Sequence, residues 1–183
     1  MTVVKSDLVR VSKRLSYVLR HRPDSVGVVL DANGWVDVDT LLAALAPLTR
    51  QDLDAVVAGN DKSRFAVRRG PDGRDQIRAS QGHSVEVDLG LAPEPPPAVL
   101  FHGTSASAVP SILATGLVKG ARHAVHLSPD VTTARVVGAR RRAPVAVLAV
   151  AAAAMAAAGH TFSRSANGVW LTDHVPPTFI RPT

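Results

Sequence analysis

The sequence predicts an α+β protein of two lobes, and three observations support this prediction. Residues 91–97 contain three consecutive prolines, which cannot join a helix or a central strand and therefore form a stiff connector. Before this connector, helical periodicity gives way to a hairpin pattern. After it, short strand patterns alternate with helical ones. We therefore expect domains at residues 1–90 and 98–183, joined by a linker at residues 91–97.

The first half predicts a helix, a short strand, two further helices and a hairpin. The residues expected to begin or end the helices are Ser6 or Asp7 with Pro23, then Asp39, then Thr49 and Asp52 (a capping-box pattern) with Gly59. Phe65 and Val67 alternate with polar residues before a turn at residues 70–73, and a second strand passes through Ile77. Helices followed by a hairpin indicate a winged-helix module.

The second half interleaves short strands with helices. The strand candidates are residues 99–101, 125–127, 145–150 and 169–171, and the helical candidates are residues 106–114, 130–139 and 152–158. The alanine-rich run at residues 143–158 reads as a buried strand that passes into a small helix. Because this run is 16 residues long and contains Pro144, it is too short and too weakly apolar to span a bilayer.

Charge is distributed unevenly along the chain. Residues 1–97 contain 13 Lys and Arg and 13 Asp and Glu, whereas residues 98–183 contain 8 Lys and Arg but only Asp130 and Asp173 as carboxylates. The whole net charge of +6 therefore belongs to the second half. Such a half favours an anionic partner, and it offers few residues that could act as a general base.

Several function classes receive no support from the sequence. The chain has no cysteine, which excludes disulfides and thiolate metal sites and favours a cytoplasmic protein. His102 and His126 have few carboxylates near them in sequence, so we expect no metal. Neither a P-loop pattern nor a GxGxxG pattern is present. The sequence shows no apolar signal segment, so we expect no membrane partner. We also expect a monomer.

Individual polar segments have ordinary structural explanations. Arg20, His21 and Arg22 end the first helix, where cations complement the helix macrodipole, although the same groups could bind an anion. Arg64 precedes the hairpin, and basic loop residues are common. The segment at residues 77–84 contains Gly82, which permits a close backbone approach. Taken singly, these segments do not identify a function.

Together, six segments resemble the RNA 2′-phosphotransferase family, which transfers an internal RNA 2′-phosphate to NAD⁺. They occur in the family's order, at residues 12–21, 60–65, 77–84, 101–104, 125–128 and 167–172. The resemblance implies an N-terminal winged-helix RNA lobe and a C-terminal ADP-ribosyltransferase-like lobe. It further implies the partners NAD⁺, as a co-substrate, and RNA carrying a 2′-phosphate, such as transfer RNA.

The resemblance also implies site residues. The catalytic set is Arg20, His21, Arg64 and Arg122. The expected NAD⁺ neighbours are His102, Gly103, Thr104, Gly116, His126, Ser128 and Val169, and the expected RNA contacts are Lys13, Arg78 and Arg140. The chain has Ala124 where the family often has a histidine, and the run at residues 140–142 is more basic than the family's usual pattern; it is either an extra phosphate-facing patch or a solvated surface.

A reaction follows from charge and from the resemblance. A 2′-phosphate is already anionic at neutral pH, so it needs positioning rather than deprotonation before it attacks C1″ of NAD⁺. The expected products are 2′-hydroxyl RNA, ADP-ribose 1″,2″-cyclic phosphate and nicotinamide. Two alternatives remain: an ADP-ribosyltransferase that modifies nucleic-acid phosphate ends, and a non-enzymatic winged-helix nucleic-acid binder.

Overall fold

The structure, a computed structural model, describes residues 5–59, 63–139 and 143–183. The chain divides into two compact units, Met1–Gly90 and Leu91–Thr183. Each unit combines helices with antiparallel strands, which confirms the α+β prediction. The predicted RNA contact Arg140 and part of the segment at residues 60–65 lie outside the described residues.

The first unit contains three α-helices and one small sheet. Its elements are α1 (Lys5–Arg20), a 3-10 turn (Pro23–Val26), β1 (Val36–Asp37), α2 (Val38–Ala44), α3 (Arg50–Ala58), β2 (Phe65–Arg69) and β3 (Asp75–Ala79). The strands pair in the order β1-β3-β2, and Val67 lies opposite Ile77. Leu15 and Leu19 of α1 pack with Leu41, Leu53 and Ile77 in a fully buried core. The predicted helix–strand–helix–helix–hairpin order is confirmed.

The structure confirms one predicted helix cap and contradicts another. Thr49 and Asp52 form the predicted capping box at the start of α3. The expectation that Asp39 caps α2 is wrong, because Asp37 accepts the hydrogen bond from the Thr40 N–H at 2.9 Å. The short strand β1 ends at Asp37 in an extended conformation, which is the backbone geometry of an N-cap.

The second unit contains eight short strands and three α-helices among its described residues. Its elements are β4 (Leu100–Ser105), α4 (Val109–Thr115), β5 (Leu117–Val118), β6 (Val125–Leu127), α5 (Val131–Gly138), β7 (Val145–Val150), α6 (Ala152–Ala157), β8 (Ser163–Arg164), β9 (Trp170–Thr172), β10 (His174–Val175) and β11 (Ile180–Pro182). The strands form three sheets, β11-β7-β4, β6-β9-β8 and β10-β5. Leu100, Leu148, Val150 and Met155 are fully buried in the core of the unit.

The second unit differs from the prediction mainly in its shortest elements. Strand β4 continues through His102 to Ser105, four residues beyond the predicted end. Strands β5, β8, β10 and β11 were not predicted, because two or three residues are too few to show a period. The alanine-rich run follows the prediction, since the buried strand β7 passes into the short helix α6.

Residues 91–97 belong to the second unit. Pro93 bridges to Ser163 of β8, and the Glu94 N–H donates to the Phe162 carbonyl at 2.8 Å. The segment predicted as a linker therefore contributes backbone pairing to this unit. No helix in the described ranges is long and apolar enough to cross a membrane.

Candidate functional site

The helix α1 ends with the half-buried side chain of Arg20, and the exposed His21 follows it. The Tyr17 carbonyl accepts hydrogen bonds from the His21 and Arg22 N–H groups at 2.9 and 3.1 Å, and these bonds close the last turn. Arg22 turns to Asp24, with which it forms an ion pair at 3.1 Å. Arg22 therefore has a carboxylate partner within the loop that follows.

One segment, which we call the anchoring loop (residues 80–85), contacts three of the four predicted catalytic residues. The Ser84 N–H donates to the Arg20 carbonyl at 2.8 Å, and the Ser84 Oγ lies 2.9 Å from His21 Nδ1. Gly82 has a φ of +87°, and a Cβ there would lie 3.7 Å from an Arg20 guanidinium nitrogen. The loop therefore passes directly alongside the Arg20 side chain.

Arg64 is attached to the same loop through its backbone. The Ser80 N–H donates to the Arg64 carbonyl at 2.8 Å, and the Ser80 hydroxyl donates to the Ser63 carbonyl at 2.7 Å. Arg64 immediately precedes Phe65, which pairs with Ala79 at the start of the hairpin. The structure thus brings Arg64 onto the same segment as Arg20 and His21, from which it is distant in sequence.

The predicted RNA contacts have different environments. The Arg78 Nη1 donates to the carbonyls of Asn33 and Leu89 at 3.1 and 3.2 Å, and its guanidinium carbon lies 4.5 Å from the centre of the Trp35 ring. These contacts attach the segments around Asn33 and Leu89 to the sheet of the first unit. Lys13 is exposed on α1. RNA contact by Lys13, Arg78 and Arg140 stays a prediction.

In the second unit, His102 is held in one tautomer. Its Nδ1 lies 3.1 Å from the His126 carbonyl oxygen. Because a carbonyl can only accept, Nδ1 carries the hydrogen. Burial lowers the pKa of His102, the bond to His126 opposes this effect, and the positive charge of Arg122 lowers the pKa further. His102 is therefore neutral at pH 7, and its Nε2 is a hydrogen-bond acceptor.

Backbone pairing brings the predicted NAD⁺ residues of β4 and β6 together. Phe101 and Ser128 exchange two N–H to carbonyl hydrogen bonds, at 2.9 and 2.7 Å. This bridge sets His102 beside His126 and connects the sheet that contains β4 with the sheet that contains β6. Arg122 lies in the exposed segment before β6, close enough for its charge to act on His102. Thr104 lies farther along β4, partly exposed.

Two predicted NAD⁺ neighbours are glycines with clear packing roles. A Cβ on Gly103 would lie 1.7 Å from the Ala134 carbonyl oxygen in α5. Gly116 has a φ of +87°, and a Cβ there would lie 2.3 Å from the Val175 carbonyl oxygen. Both positions require glycine for close backbone approach. Their contact with NAD⁺ stays a prediction, as it does for His126, Ser128 and Val169.

Val169 closes a tight turn between β8 and β9. The Ser165 N–H donates to the Val169 carbonyl at 2.9 Å, and the Val169 N–H donates back to the Ser165 Oγ at 3.2 Å. Gly168 has a φ of +78° within the turn. Ser165 is 3% exposed, so the turn is fixed from inside the unit. Sequence reasoning missed Ser165, because a lone serine carries no spacing signal.

All three side-chain carboxylates of the second unit have structural partners. Asp130 caps α5 by accepting from the Thr133 N–H at 2.7 Å, and this bond lowers the pKa of Asp130. Asp173 accepts from the Lys119 ammonium at 2.6 Å, which lowers the pKa of Asp173. Glu94 pairs with Arg164 at 3.3 Å. Among the described residues, no group of three or more His, Cys, Asp or Glu could hold a metal ion.

Comparison with known proteins identifies the family. A family model described as "RNA 2′-phosphotransferase, Tpt1 / KptA family" matches residues 6–174. The chain belongs to this RNA 2′-phosphotransferase family. The resemblance carried by the six sequence segments is thereby confirmed, and the family's name describes a class of transferases.

Individual members of the RNA 2′-phosphotransferase family match almost the whole chain. A probable RNA 2′-phosphotransferase of Streptomyces griseus is 56% identical over 180 residues, covering 94% of this chain and 95% of the relative. A probable RNA 2′-phosphotransferase of Nostoc punctiforme is 52% identical over 180 residues, covering 96% and 97%. A third, of Streptomyces coelicolor, is 55% identical over 177 residues, covering 94% of each.

Proposed function

We propose that the protein removes an internal 2′-phosphate from RNA by transferring it to NAD⁺. The products are 2′-hydroxyl RNA, ADP-ribose 1″,2″-cyclic phosphate and nicotinamide. On this proposal the first unit is a winged-helix lobe that binds RNA, with transfer RNA as the expected substrate class. The second unit is an ADP-ribosyltransferase-like lobe that binds NAD⁺.

The engagement of every side-chain carboxylate in the second unit is the observation that carries this proposal. Glu94, Asp130 and Asp173 are tied to a cation or a helix cap. A neutral hydroxyl acceptor commonly needs a general base, whereas a phosphate arrives already charged. Arg20 and Arg64 offer planar donor forks that match phosphate oxygens. The acceptor that suits these groups is therefore an anion.

The reaction has two steps. In the first, a 2′-phosphate oxygen bonds to C1″ of NAD⁺, the bond from C1″ to nicotinamide breaks, and nicotinamide leaves with the electron pair. This step gives RNA with an ADP-ribosylated 2′-phosphate. In the second step, the ribose 2″-hydroxyl attacks phosphorus and releases its proton to solvent, and the bond between phosphorus and the RNA 2′-oxygen breaks. The departing oxygen gains a proton.

The four predicted catalytic residues would act on the phosphate. Arg20, Arg64 and Arg122 would orient it in the first step and stabilise the charge on its oxygens in the second. His21 would exchange a proton in the second step. The second unit suits NAD⁺ as a co-substrate, because Nε2 of neutral His102 can accept a hydrogen bond from a ribose hydroxyl.

A single incubation separates this function from the two alternatives. The protein is mixed with NAD⁺ and an oligonucleotide that carries one internal 2′-phosphate. Nicotinamide release together with loss of the phosphate supports the proposal. An ADP-ribosylated end without phosphate loss supports an ADP-ribosyltransferase that acts on nucleic-acid phosphate ends. RNA binding without NAD⁺ consumption supports a non-enzymatic binder.

Replacing Arg64 tests the phosphate site. We expect Arg64→Ala to lower phosphate removal severely, because each hydrogen bond to a charged group contributes about 1.5–3 kcal/mol, or at least about tenfold in rate. The matched control is Arg69→Ala, which removes an exposed arginine of the same hairpin that pairs with Asp75 at 2.9 Å. Normal turnover by Arg64→Ala would remove Arg64 from the site.

A further inference from the structure

The hydroxyl of Ser84, a residue outside the predicted catalytic set, contacts the imidazole of His21. The Ser84 Oγ lies 2.9 Å from His21 Nδ1, across a separation of 63 residues. The main chain fixes this serine, because its N–H donates to the Arg20 carbonyl at 2.8 Å and the Val85 N–H donates to the same oxygen at 3.3 Å. These two backbone hydrogen bonds therefore hold the Ser84 hydroxyl next to the imidazole.

The chemistry of the three groups allows the hydrogen bond to run from His21 to Ser84. A hydroxyl has one hydrogen to donate and two lone pairs to accept with. The Ser84 Oγ also lies 3.5 Å from the Arg20 carbonyl oxygen, and a carbonyl can only accept. When the hydroxyl hydrogen is directed to this carbonyl, Oγ can accept a hydrogen bond from Nδ1–H of His21.

We infer that Ser84 is a positioning residue for His21: it accepts a hydrogen bond from Nδ1–H, holds the ring in one orientation and makes Nε2 the nitrogen that exchanges a proton. The inference rests on the proposed function for the role of His21 in the reaction, and on the contacts of Ser84 for the tautomer. Ser84 itself touches neither the reacting phosphorus nor C1″ in this assignment.

With Nδ1 bonded to Ser84, proton transfer in the second step uses Nε2 of His21. Imidazolium at His21 has hydrogens on both nitrogens. The Nε2–H bond breaks as the bond between phosphorus and the RNA 2′-oxygen breaks, and the hydrogen joins the departing oxygen, which has kept the electron pair. Nδ1–H stays bonded to Ser84 throughout, so the ring does not have to rotate or change partners between its two protonation states.

The test compares Ser84→Ala with Ser84→Thr and with a control, Ser25→Ala. Alanine preserves the N–H that bonds to Arg20 and removes only the hydroxyl, whereas threonine keeps the hydroxyl. Ser25 is an exposed serine of the 3-10 turn that follows α1, and its hydroxyl donates to the Arg22 carbonyl at 2.6 Å rather than to an imidazole.

The first measurement separates the two steps with a 2′-phosphorylated oligonucleotide and NAD⁺. We expect Ser84→Ala to slow conversion of the ADP-ribosylated intermediate about tenfold, since an orienting hydrogen bond to a charged group is lost. Nicotinamide release in the first turnover stays near the wild-type rate, so the intermediate accumulates. Ser84→Thr and Ser25→Ala behave as wild type. Equal slowing of both steps, or no change in either, would overturn the inference.

The second measurement does not depend on activity. Nitrogen-15 NMR of the imidazole groups, with the His21 signals identified by their absence in His21→Ala, reports which nitrogen carries the hydrogen in neutral His21. We expect Nδ1–H in the wild type, in Ser84→Thr and in Ser25→Ala, and loss of this preference in Ser84→Ala. An Nε2–H tautomer in the wild type would refute the role of Ser84. A wild type with the Nδ1–H tautomer but no phosphate removal would instead contradict the proposed function.

Discussion

Gly103 allows strand β4 to lie directly against helix α5, and replacing it with alanine tests how closely these elements must approach. The added Cβ would lie 1.7 Å from the Ala134 carbonyl oxygen and 3.0 Å from the Gly138 nitrogen. Gly138 makes the reciprocal approach, since a Cβ there would lie 3.0 Å from the Gly103 carbonyl carbon. The atoms in conflict with the Gly103 side chain belong to backbone, which has no rotamer with which to move aside.

The size of the effect follows from this distance. Real Cβ atoms stay at least 3.0 Å from such neighbours, so Gly103→Ala must separate the strand from the helix by more than 1 Å. Overpacking a core costs about 1–3 kcal/mol, and we expect the upper end because backbone must shift. A loss of about 3 kcal/mol lowers the Tm of a unit of this size by roughly 12–24 °C.

Hydrogen exchange measured by mass spectrometry assigns the loss to the second unit. We expect peptides from β4 and β7 to lose protection in Gly103→Ala, while peptides from α1 and β3 keep theirs. On the proposed function, NAD⁺ affinity should fall as well, because the predicted NAD⁺ neighbours His102 and Thr104 flank the altered residue. Unfolding of Gly103→Ala at the wild-type temperature would show that strand and helix do not require glycine at this position.

Two further variants control for other causes. Adding Ala134→Gly to Gly103→Ala should restore no stability, because the conflict is with the carbonyl and not with the Ala134 methyl. Gly159→Ala introduces a Cβ with no atom within 4 Å at a φ of +93°, and should show only a backbone cost of about 1–2 kcal/mol. Recovery in the double variant would place the conflict at the side chain instead.

Three other predictions follow from the contacts of individual side chains. Burial lowers the pKa of His102, so the imidazole of the unfolded chain is protonated first as the pH falls below about 6.5. The free energy of unfolding of the second unit should therefore decline below this pH. In urea titrations, His102→Asn should remove that part of the pH dependence. Arg78→Ala should destabilise the first unit by about 2–3 kcal/mol, because the arginine loses its contacts with two carbonyls and with the Trp35 ring. Arg68→Ala should cost less. Unchanged stability together with weakened RNA binding in a filter assay would instead favour direct RNA contact by Arg78. Asp37→Ala should cost about 1 kcal/mol as the N-cap of α2, whereas Asp39→Ala should change thermal stability little, and the reverse order would reinstate Asp39 as the cap.

Local signals predicted those parts of the fold that depend on neighbouring residues. The apolar spacing along α1, the capping box of Thr49 and Asp52, and the hairpin turn at residues 70–73 each lie within a few residues, so each could be read from the sequence. The passage from β7 into α6 was readable for the same reason. These elements form where they were expected.

Elements that depend on a distant partner were not readable. Strands β5 and β10 have two residues each and exist because Leu117 pairs with Val175 and Val118 with His174. Strand β4 extends past its predicted end because Val145 and Ala146 of β7 pair with Ser105 and Thr104. A backbone hydrogen bond to a remote strand leaves no periodic signature in either segment.

For the candidate site, the sequence by itself determined which chemical groups are present and where charge is lacking. It supplied arginines and histidines, almost no carboxylates after residue 97, and the motifs of the RNA 2′-phosphotransferase family. Only the tertiary structure decided what those groups do to one another. It attached Arg20, His21 and Arg64 to the anchoring loop. It also placed Nδ1 of His102 within hydrogen-bond distance of a carbonyl 24 residues away. The three carboxylates Glu94, Asp130 and Asp173 form ion pairs or cap a helix only in the folded chain. Composition determines which hydrogen-bond donors and acceptors the chain contains. A hydrogen bond, however, needs two atoms within about 3 Å of each other, and only folding sets that distance for residues far apart in the chain.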